Sequence, residues 1–267
     1  MKTSYHVHTR WSDGGAHIKE YVRAAQSMYL SELGFSDHYA VHPSGVRVEW
    51  AIPPNRIDKY IAEVMKARRD APPGLVVRIG IEVDYFSGQE KLIQDLLERY
   101  PFDYVIGSVH FFGNFPIDEA AARWEPLTAQ ERDEVMRGYW HCIRRMAESR
   151  LFDIAGHLDL TKKFGYRSSA DLRPEIDKAL DAIASSNMTI ELNTAGWHVP
   201  VGEQYPSREI LQGCFERGIP VVVTADAHRP EDLMRDYERA YKLLREVGYR
   251  SLVVFEKRQR VEVALLQ

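Results

Sequence analysis

Apolar residues recur along the chain in two alternating periods. Short runs rich in Val, Ile and Phe have the length of strands; longer stretches between them carry apolar positions three and four apart, the spacing of a helix with one buried face. The strand-like runs fall near 3–8, 33–37, 76–84, 102–109, 152–157, 188–193, 219–225 and 251–255. The helix-like stretches fall near 17–32, 55–70, 88–99, 128–149, 172–186, 207–217 and 230–247. Thr128 followed by Glu131 is a capping-box pattern opening the fourth helix, and Gly218-Ile219-Pro220 stops the sixth ahead of a Val-rich strand. Strand–helix alternation predicts parallel strands, because parallel neighbours need a crossover of about a dozen residues or more. Seven such units close more naturally into an α/β barrel than into two sheets. No linker, composition shift, low-complexity tract or repeat beyond this rhythm interrupts residues 1–267, which read as one domain. Two connections are long, 39–54 with Pro43, Pro53 and Pro54, and 110–127 with Gly113, Pro116 and Pro126; both are candidate lids.

The chemistry lies in what ends each strand. The first delivers His6-Val7-His8, whose histidines project to one face about 7 Å apart in Cα, a spacing that suits two ligands on one ion. The second ends Ser36-Asp37-His38, the third Glu82-Val83-Asp84, the fourth Gly107-Ser108-Val109-His110, the fifth Gly156-His157 and the seventh Asp226-Ala227-His228. In a parallel barrel all these ends share one face, where such folds place their chemistry. A single strand-end histidine is ordinarily structural, but six strand ends bearing His or carboxylate point to a metal centre. Imidazole and carboxylate without thiolate suit zinc, iron, manganese or cobalt.

Composition narrows the picture. Hydrophobic residues make up 45% and charged residues 28%, as in ordinary globular chains. Thirty-five basic against 39 acidic residues give a formal charge of −4, which argues against general nucleic-acid or anionic-membrane binding. Cys142 and Cys214 lie far apart, so neither a disulfide framework nor a thiolate zinc site is expected. The start of the chain lacks a signal-peptide pattern, and no apolar run reaches a membrane span, so a cytoplasmic protein is expected.

The ordered set His6-x-His8 with Asp13-Gly14, Ser36-Asp37-His38, Gly80-x-Glu82, Gly107-Ser108-x-His110, Gly156-His157 and Asp226-x-His228 resembles the polymerase and histidinol phosphatase (PHP) superfamily over essentially the whole chain. That resemblance implies a distorted seven-stranded TIM-like (β/α) barrel with two to three divalent transition metals, zinc, iron or manganese, at the carboxyl ends of its strands. It implies that His6, His8, Glu82 and Asp226 hold a first ion. Glu82 then bridges to a second ion held by His110 and His157, and Asp13, His38 and His228 take a third. Asp13 stands where some relatives have His. Glu82, Asp226 and His228 are the implied catalytic residues, and a water shared by two dications would ionise near neutral pH and act as nucleophile. The segments Ile190-Glu191-Leu192-Asn193-Thr194-Ala195-Gly196, Tyr205-Pro206-Ser207 and Asp226 through Asp232 resemble the branch of PHP phosphatases that hydrolyses L-histidinol phosphate in histidine biosynthesis.

Beyond the metals, Lys162, Lys163, Arg167, Asn193 and Arg208 are candidates for phosphate oxygens. Asp118 and Glu119 could meet a substrate ammonium, Trp124 or Trp197 could wall an imidazole ring, and His42 or His198 could protonate the leaving oxygen. Neither a Gly-x-Ser-x-Gly elbow nor a nucleotide-binding P-loop is present. The alternatives are a PHP-type exonuclease or phosphodiesterase, an amidohydrolase acting on a C–N bond, and a non-catalytic metal-binding barrel. Against the amidohydrolase, Glu82 rather than lysine stands at the bridging position; against the non-catalytic barrel, no ligand is missing. The partner expected is a small phosphomonoester, with no nucleic acid and no membrane; the sequence does not specify an oligomeric state.

Overall fold

The Val- and Ile-rich runs form parallel strands in the order β1-β2-β4-β5-β8-β9-β10, in a computed structural model that describes residues 1–265. These are β1 (Thr3–Ser4), β2 (Glu32–Phe35), β4 (Val76–Asp84), β5 (Tyr104–Ser108), β8 (Ile154–Ala155), β9 (Thr189–Asn193) and β10 (Val221–Thr224). All but the first residue of β4 are buried, which explains its near-continuous apolar run: a strand covered on both faces needs no polar alternation. A short strand β3 (His38–Tyr39) continues β2 along β4 in unchanged register, Phe35 opposite Ile79 and His38 opposite Glu82, so Ser36-Asp37 is a break within one strand line. The barrel closes between its first and last strand lines through a single bridge, Val7 to Ala227. There Ala227 N donates to His6 O at 2.9 Å and His8 N donates to Ala227 O at 2.9 Å.

Helices α1 (Ile18–Ser27), α2 (Ile57–Arg69), α3 (Glu90–Arg99), α5 (Ala129–Ser149), α6 (Arg173–Ser185), α7 (Arg208–Glu216) and α8 (Tyr237–Val247) bury one apolar face each around the barrel. The capping box at Thr128 and Glu131 forms as expected. No helix among the described residues is long and apolar enough to cross a membrane.

Three features depart from the sequence expectation. The eighth apolar run, β11 (Ser251–Glu256), does not enter the barrel but pairs antiparallel with β12 (Gln259–Ala264), whose charged residues hide its strand character. The last helix begins only at Tyr237, because Asp236 takes a left-handed backbone (φ 60°) after a short turn at Pro230–Asp232. The connection 110–127 is folded: β6 (Phe111–Phe112) and β7 (Phe115–Pro116) make a hairpin, followed by α4 (Ala121–Trp124). Phe112 seats this flap on the bare backbone of Gly138 in α5, where any Cβ would lie 2.1 Å from its ring.

Tyr5, Tyr104, Ile106, Ile154 and Val222 come from strands that are mostly not neighbours, so they meet across the barrel interior; Val253, Val254 and Phe255 of the β11–β12 hairpin complete the cluster. Below it Arg78 forks onto Glu32 at 2.8 and 2.9 Å, and the Tyr5 hydroxyl donates to Glu32 at 2.5 Å, all three buried. Glu32→Ala is therefore expected to cost about 3–5 kcal/mol, by leaving a buried guanidinium without its main partner. Urea denaturation reads this loss; a change below about 1 kcal/mol would mean that Glu256, 3.7 Å from Arg78, takes over as its partner.

Candidate metal centre

Glu82, near the end of β4 and 1% exposed, sits at the middle of the strand-end cluster. Its Oε2 lies 3.1 Å from His6 Nε2, 3.4 Å from His8 Nε2 and 2.7 Å from His38 Nδ1. Its Oε1 lies 3.0 Å from His157 Nε2 and 3.8 Å from His110 Nε2, and accepts from Ser108 Oγ at 2.5 Å. Asp226 Oδ1 joins the first set, 3.1 Å from His8 Nε2 and 3.6 Å from His6 Nε2. A third set gathers around Asp13, with His228 Nε2 at 3.3 Å, His38 Nε2 at 3.8 Å and His8 Nδ1 at 3.9 Å. The eight strand-end residues named as ligands and Asp13 of the β1–α1 loop thus converge, and they fall into overlapping groups of three and four. Their spacing is that of donors sharing a cation at about 2.0–2.2 Å.

The donors also behave chemically as a cation site. His6 Nε2, His8 Nδ1 and Nε2, Glu82 Oε2 and Asp226 Oδ1 are buried without a hydrogen-bond partner, a cost that a bound dication would remove. Burial opposes protonation of His6, yet Glu191, Asp226 and Glu82 outweigh it and raise its pKa well above the ordinary value. Burial likewise opposes protonation of His110, but Asp84 brings it up to about 10. Glu82 is held well below the carboxylate range: burial would raise it, and His38 and His6 more than reverse that. Burial and the neighbouring His38 and His228 bring His8 down to about 3, which leaves its imidazole neutral and able to donate to a cation.

Local structure aims each donor. Gly14 lies so close to His8 that a Cβ would sit 2.0 Å from the His8 carbonyl oxygen, which lets the β1–α1 loop fold back and bring Asp13 to the mouth. Asp37 holds that loop by accepting from Thr9 N (2.7 Å), Ser12 N (3.1 Å) and Ser12 Oγ (2.7 Å). Burial pushes Asp37 up to about 6, with these bonds from Ser12 and Thr9 working against it. Asp226 adopts a left-handed backbone (φ 50°), a conformation Asp tolerates better than most residues, and this turns its carboxylate back towards His8.

A second layer fixes the rings. Glu191 accepts from His6 Nδ1 (2.8 Å), the His157 backbone N–H (2.5 Å), Thr224 Oγ1 (2.9 Å) and Asn193 Nδ2 (3.0 Å). Asp84 Oδ1 lies 3.0 Å from both the backbone nitrogen and Nδ1 of His110. Asn193 also reaches Asp226 Oδ2 at 3.3 Å, so it steadies a carboxylate of the cluster instead of standing free in the mouth. Glu191 was visible only as part of a family signature, although its place two residues before Asn193 puts both on one strand face.

The remaining candidates divide. A cavity of about 500 Å³ opens over the cluster, and its wall includes Asp118, Glu119, Lys163, His198, Tyr205 and Arg235. Lys163 Nζ lies 3.1 Å from Asp118 Oδ2, and His198 Nε2 lies 2.5 Å from Asp236 Oδ2. Lys162 does not reach this mouth: it is buried with its ammonium on Asp159 (2.9 Å), Glu203 (2.9 Å) and the Gln204 carbonyl (2.8 Å). Arg167 grips the same Glu203 from outside at 3.2 Å, and Arg208 pairs with Glu246 of α8 at 2.7 Å. His42 is tied to Ser44 (2.7 Å) and the Gly113 carbonyl (3.2 Å), where it joins the two long connections. Trp124 is fully buried with its N–H on the Ile117 carbonyl, and Trp197 gives its N–H to Gln204 beneath the Arg239 guanidinium. Arg235 and Trp50 line the mouth without having been anticipated: Trp50 sits in an irregular connection with no period to read, and Arg235 falls in the turn ahead of Tyr237, where a helix was expected.

A (β/α) barrel with a clustered histidine–carboxylate site at the carboxyl ends of its strands is the class that fold and site define together. The chain belongs to the PHP domain family, whose model matches residues 4–195. A Deinococcus radiodurans protein named probable histidinol-phosphatase is 37% identical over 245 residues, covering 90% of this chain and 91% of the relative. The Bacillus subtilis histidinol-phosphatase is 25% identical over 261 residues, 89% of this chain and 97% of that protein. The crystal structure of histidinol phosphate phosphatase from Lactococcus lactis, complexed with zinc, L-histidinol and phosphate, superposes with a TM-score of 0.81 at 22% identity over 97% of this chain and 98% of that one.

Asp84→Asn keeps an acceptor for the His110 N–H but removes the charge behind its ring. It is expected to weaken Zn²⁺ binding about 10–100-fold in competition with a chelating dye, with the far-ultraviolet dichroism unchanged.

Proposed function

We propose that the protein is a metal-dependent phosphomonoesterase that hydrolyses L-histidinol phosphate to L-histidinol and phosphate. The observation that carries this is the divided carboxylate of Glu82, one oxygen turned to His6 and His8 and the other to His157 and His110. Such a bridge suits two adjacent dications, and the names of the relatives supply the substrate. In this reading His6, His8, Glu82 and Asp226 hold one ion, Glu82, His110 and His157 a second, and Asp13, His38 and His228 a third, giving two to three ions of zinc, iron or manganese per chain. Bound there, dications supply Lewis-acid charge to phosphoryl oxygens and lower the pKa of water.

The protein's own groups do the rest. Glu82 and Asp226 fix the spacing of the positive charge, and His228, at the rim and 38% exposed, faces arriving substrate. Arg235 adds cationic charge on the wall, where a phosphoryl dianion is drawn in and oriented, and Lys163 holds Asp118 in place. Asp118 and Glu119 stand on the same wall as partners for the substrate ammonium. Of the two histidines considered for the leaving oxygen, His198 lines the mouth and rests on Asp236, so it is the proton donor in this reading.

The test is phosphate release by metal-analysed protein from L-histidinol phosphate, other phosphomonoesters and short oligonucleotides. We expect L-histidinol phosphate to have the highest kcat/KM, and faster oligonucleotide cleavage would overturn the reading. Glu82→Gln should lower turnover by at least 100-fold together with metal content. Retention of more than a few per cent of activity with full metal would remove Glu82 from its role. Asp118→Asn should raise KM for L-histidinol phosphate roughly tenfold while leaving p-nitrophenyl phosphate nearly unchanged, since only the former carries an ammonium.

A further inference from the structure

Trp50 comes from the connection 39–54 and stands directly over the donor cluster. Its ring centroid lies 4.6 Å from that of His38 and 5.2 Å from that of His110, edge to face with both, and its ring is parallel to Phe111 of the flap at 6.1 Å. The side chain is half-buried and forms part of the mouth's wall, together with Asp118 and Glu119. Trp11, Trp124 and Trp197 give their indole N–H to Glu63, Ile117 and Gln204, but among the described residues that of Trp50 has no protein acceptor and is not closed off from solvent. An aromatic surface with an unused donor, placed beside the donor cluster and the carboxylates of Asp118 and Glu119, is a subsite for a flat nitrogen heterocycle.

We infer that Trp50 is the specificity-determining residue for the ring of the substrate: its indole meets the imidazole edge-on, so that its in-plane N–H is the ring's hydrogen-bond donor, while the phosphate lies over the donor cluster. This rests on the histidinol phosphate reading and extends it to a residue. Phe111 holds the indole from behind, and His42 ties the same flap to the connection bearing Trp50 through the Gly113 carbonyl, so the wall is set before substrate arrives. Ring recognition of this kind separates L-histidinol phosphate from a ring-free amino-alcohol phosphate that presents the same phosphate and ammonium.

The experiment compares L-histidinol phosphate with O-phosphoethanolamine on wild type, Trp50→Ala and Trp50→Phe, with metal content measured for each preparation. Trp50→Ala should lower kcat/KM for L-histidinol phosphate roughly tenfold and change that for O-phosphoethanolamine less than about twofold, with metal per chain unchanged. Trp50→Phe, which keeps an aromatic face and loses the donor, should fall between. Calorimetric titration with L-histidinol should weaken by the same factors, and titration with inorganic phosphate should not. Equal losses on both substrates, or an alanine variant that keeps the wild-type preference, would overturn the assignment of Trp50 alone. A wild type with no preference for L-histidinol phosphate would overturn the functional reading, and this inference with it.

Discussion

A carboxylate at the centre of a barrel must be compensated, and the arrangement of this molecule follows from how Glu82 is compensated. Its two oxygens face five imidazoles, brought by the β1 line, β3 and the ends of β5 and β8. Each imidazole must be turned correctly, which requires Glu191 behind His6 and Asp84 behind His110. Those carboxylates are buried in turn and are satisfied by strand-end donors such as Thr224 and the His157 N–H. The charge problem is thereby passed outward through the strands until it meets backbone amides and, at the open end, solvent. A parallel barrel suits this because every strand delivers a residue to the same ring of positions.

The strand and helix rhythm was legible because burial on two faces leaves unbroken apolar runs and burial on one leaves a 3.6-residue period. The eight strand-end donors were legible because imidazole and carboxylate at the close of an apolar run have few other uses, whereas Asp13, in a loop, was legible only through the family motif. The residues of the mouth were not. Lys162 and Lys163 are adjacent in sequence, yet the turn at Leu160–Lys162 sends the first into a buried ion pair with Asp159 and Glu203 and the second to Asp118. Trp124 and Trp50 are alike as letters, and only the packing of the flap puts one in the core and the other on the wall. Propensity describes a residue's neighbours along the chain, whereas these outcomes depend on neighbours across it.

The two long connections form one assembly rather than two loops. Phe111 lies parallel to Trp50, His42 sits between Phe86 and Phe111 at about 5 Å from each ring, and Phe112 is anchored on α5. Aromatic packing of this kind is stiff, so the shape of the mouth is set by side-chain interlocking instead of by backbone hydrogen bonds alone. Acidic, basic and aromatic groups are thus presented at fixed positions around a common floor.

The closure of the barrel has a further consequence in chain entropy. The β1 and β10 lines are joined by one short bridge, yet the donors on either side of that seam, His8 and Asp226, stand 3.1 Å apart while lying more than two hundred residues apart in sequence. A dication held by both is a cross-link between the two ends of the barrel, closing a loop about as long as the domain itself. Because such a link forms only in the folded chain, its binding energy adds to the cooperativity of the whole barrel and not to one local turn. With a dication held there, the centre that would act on substrate would also be the clasp that makes the first and last barrel strands unfold together.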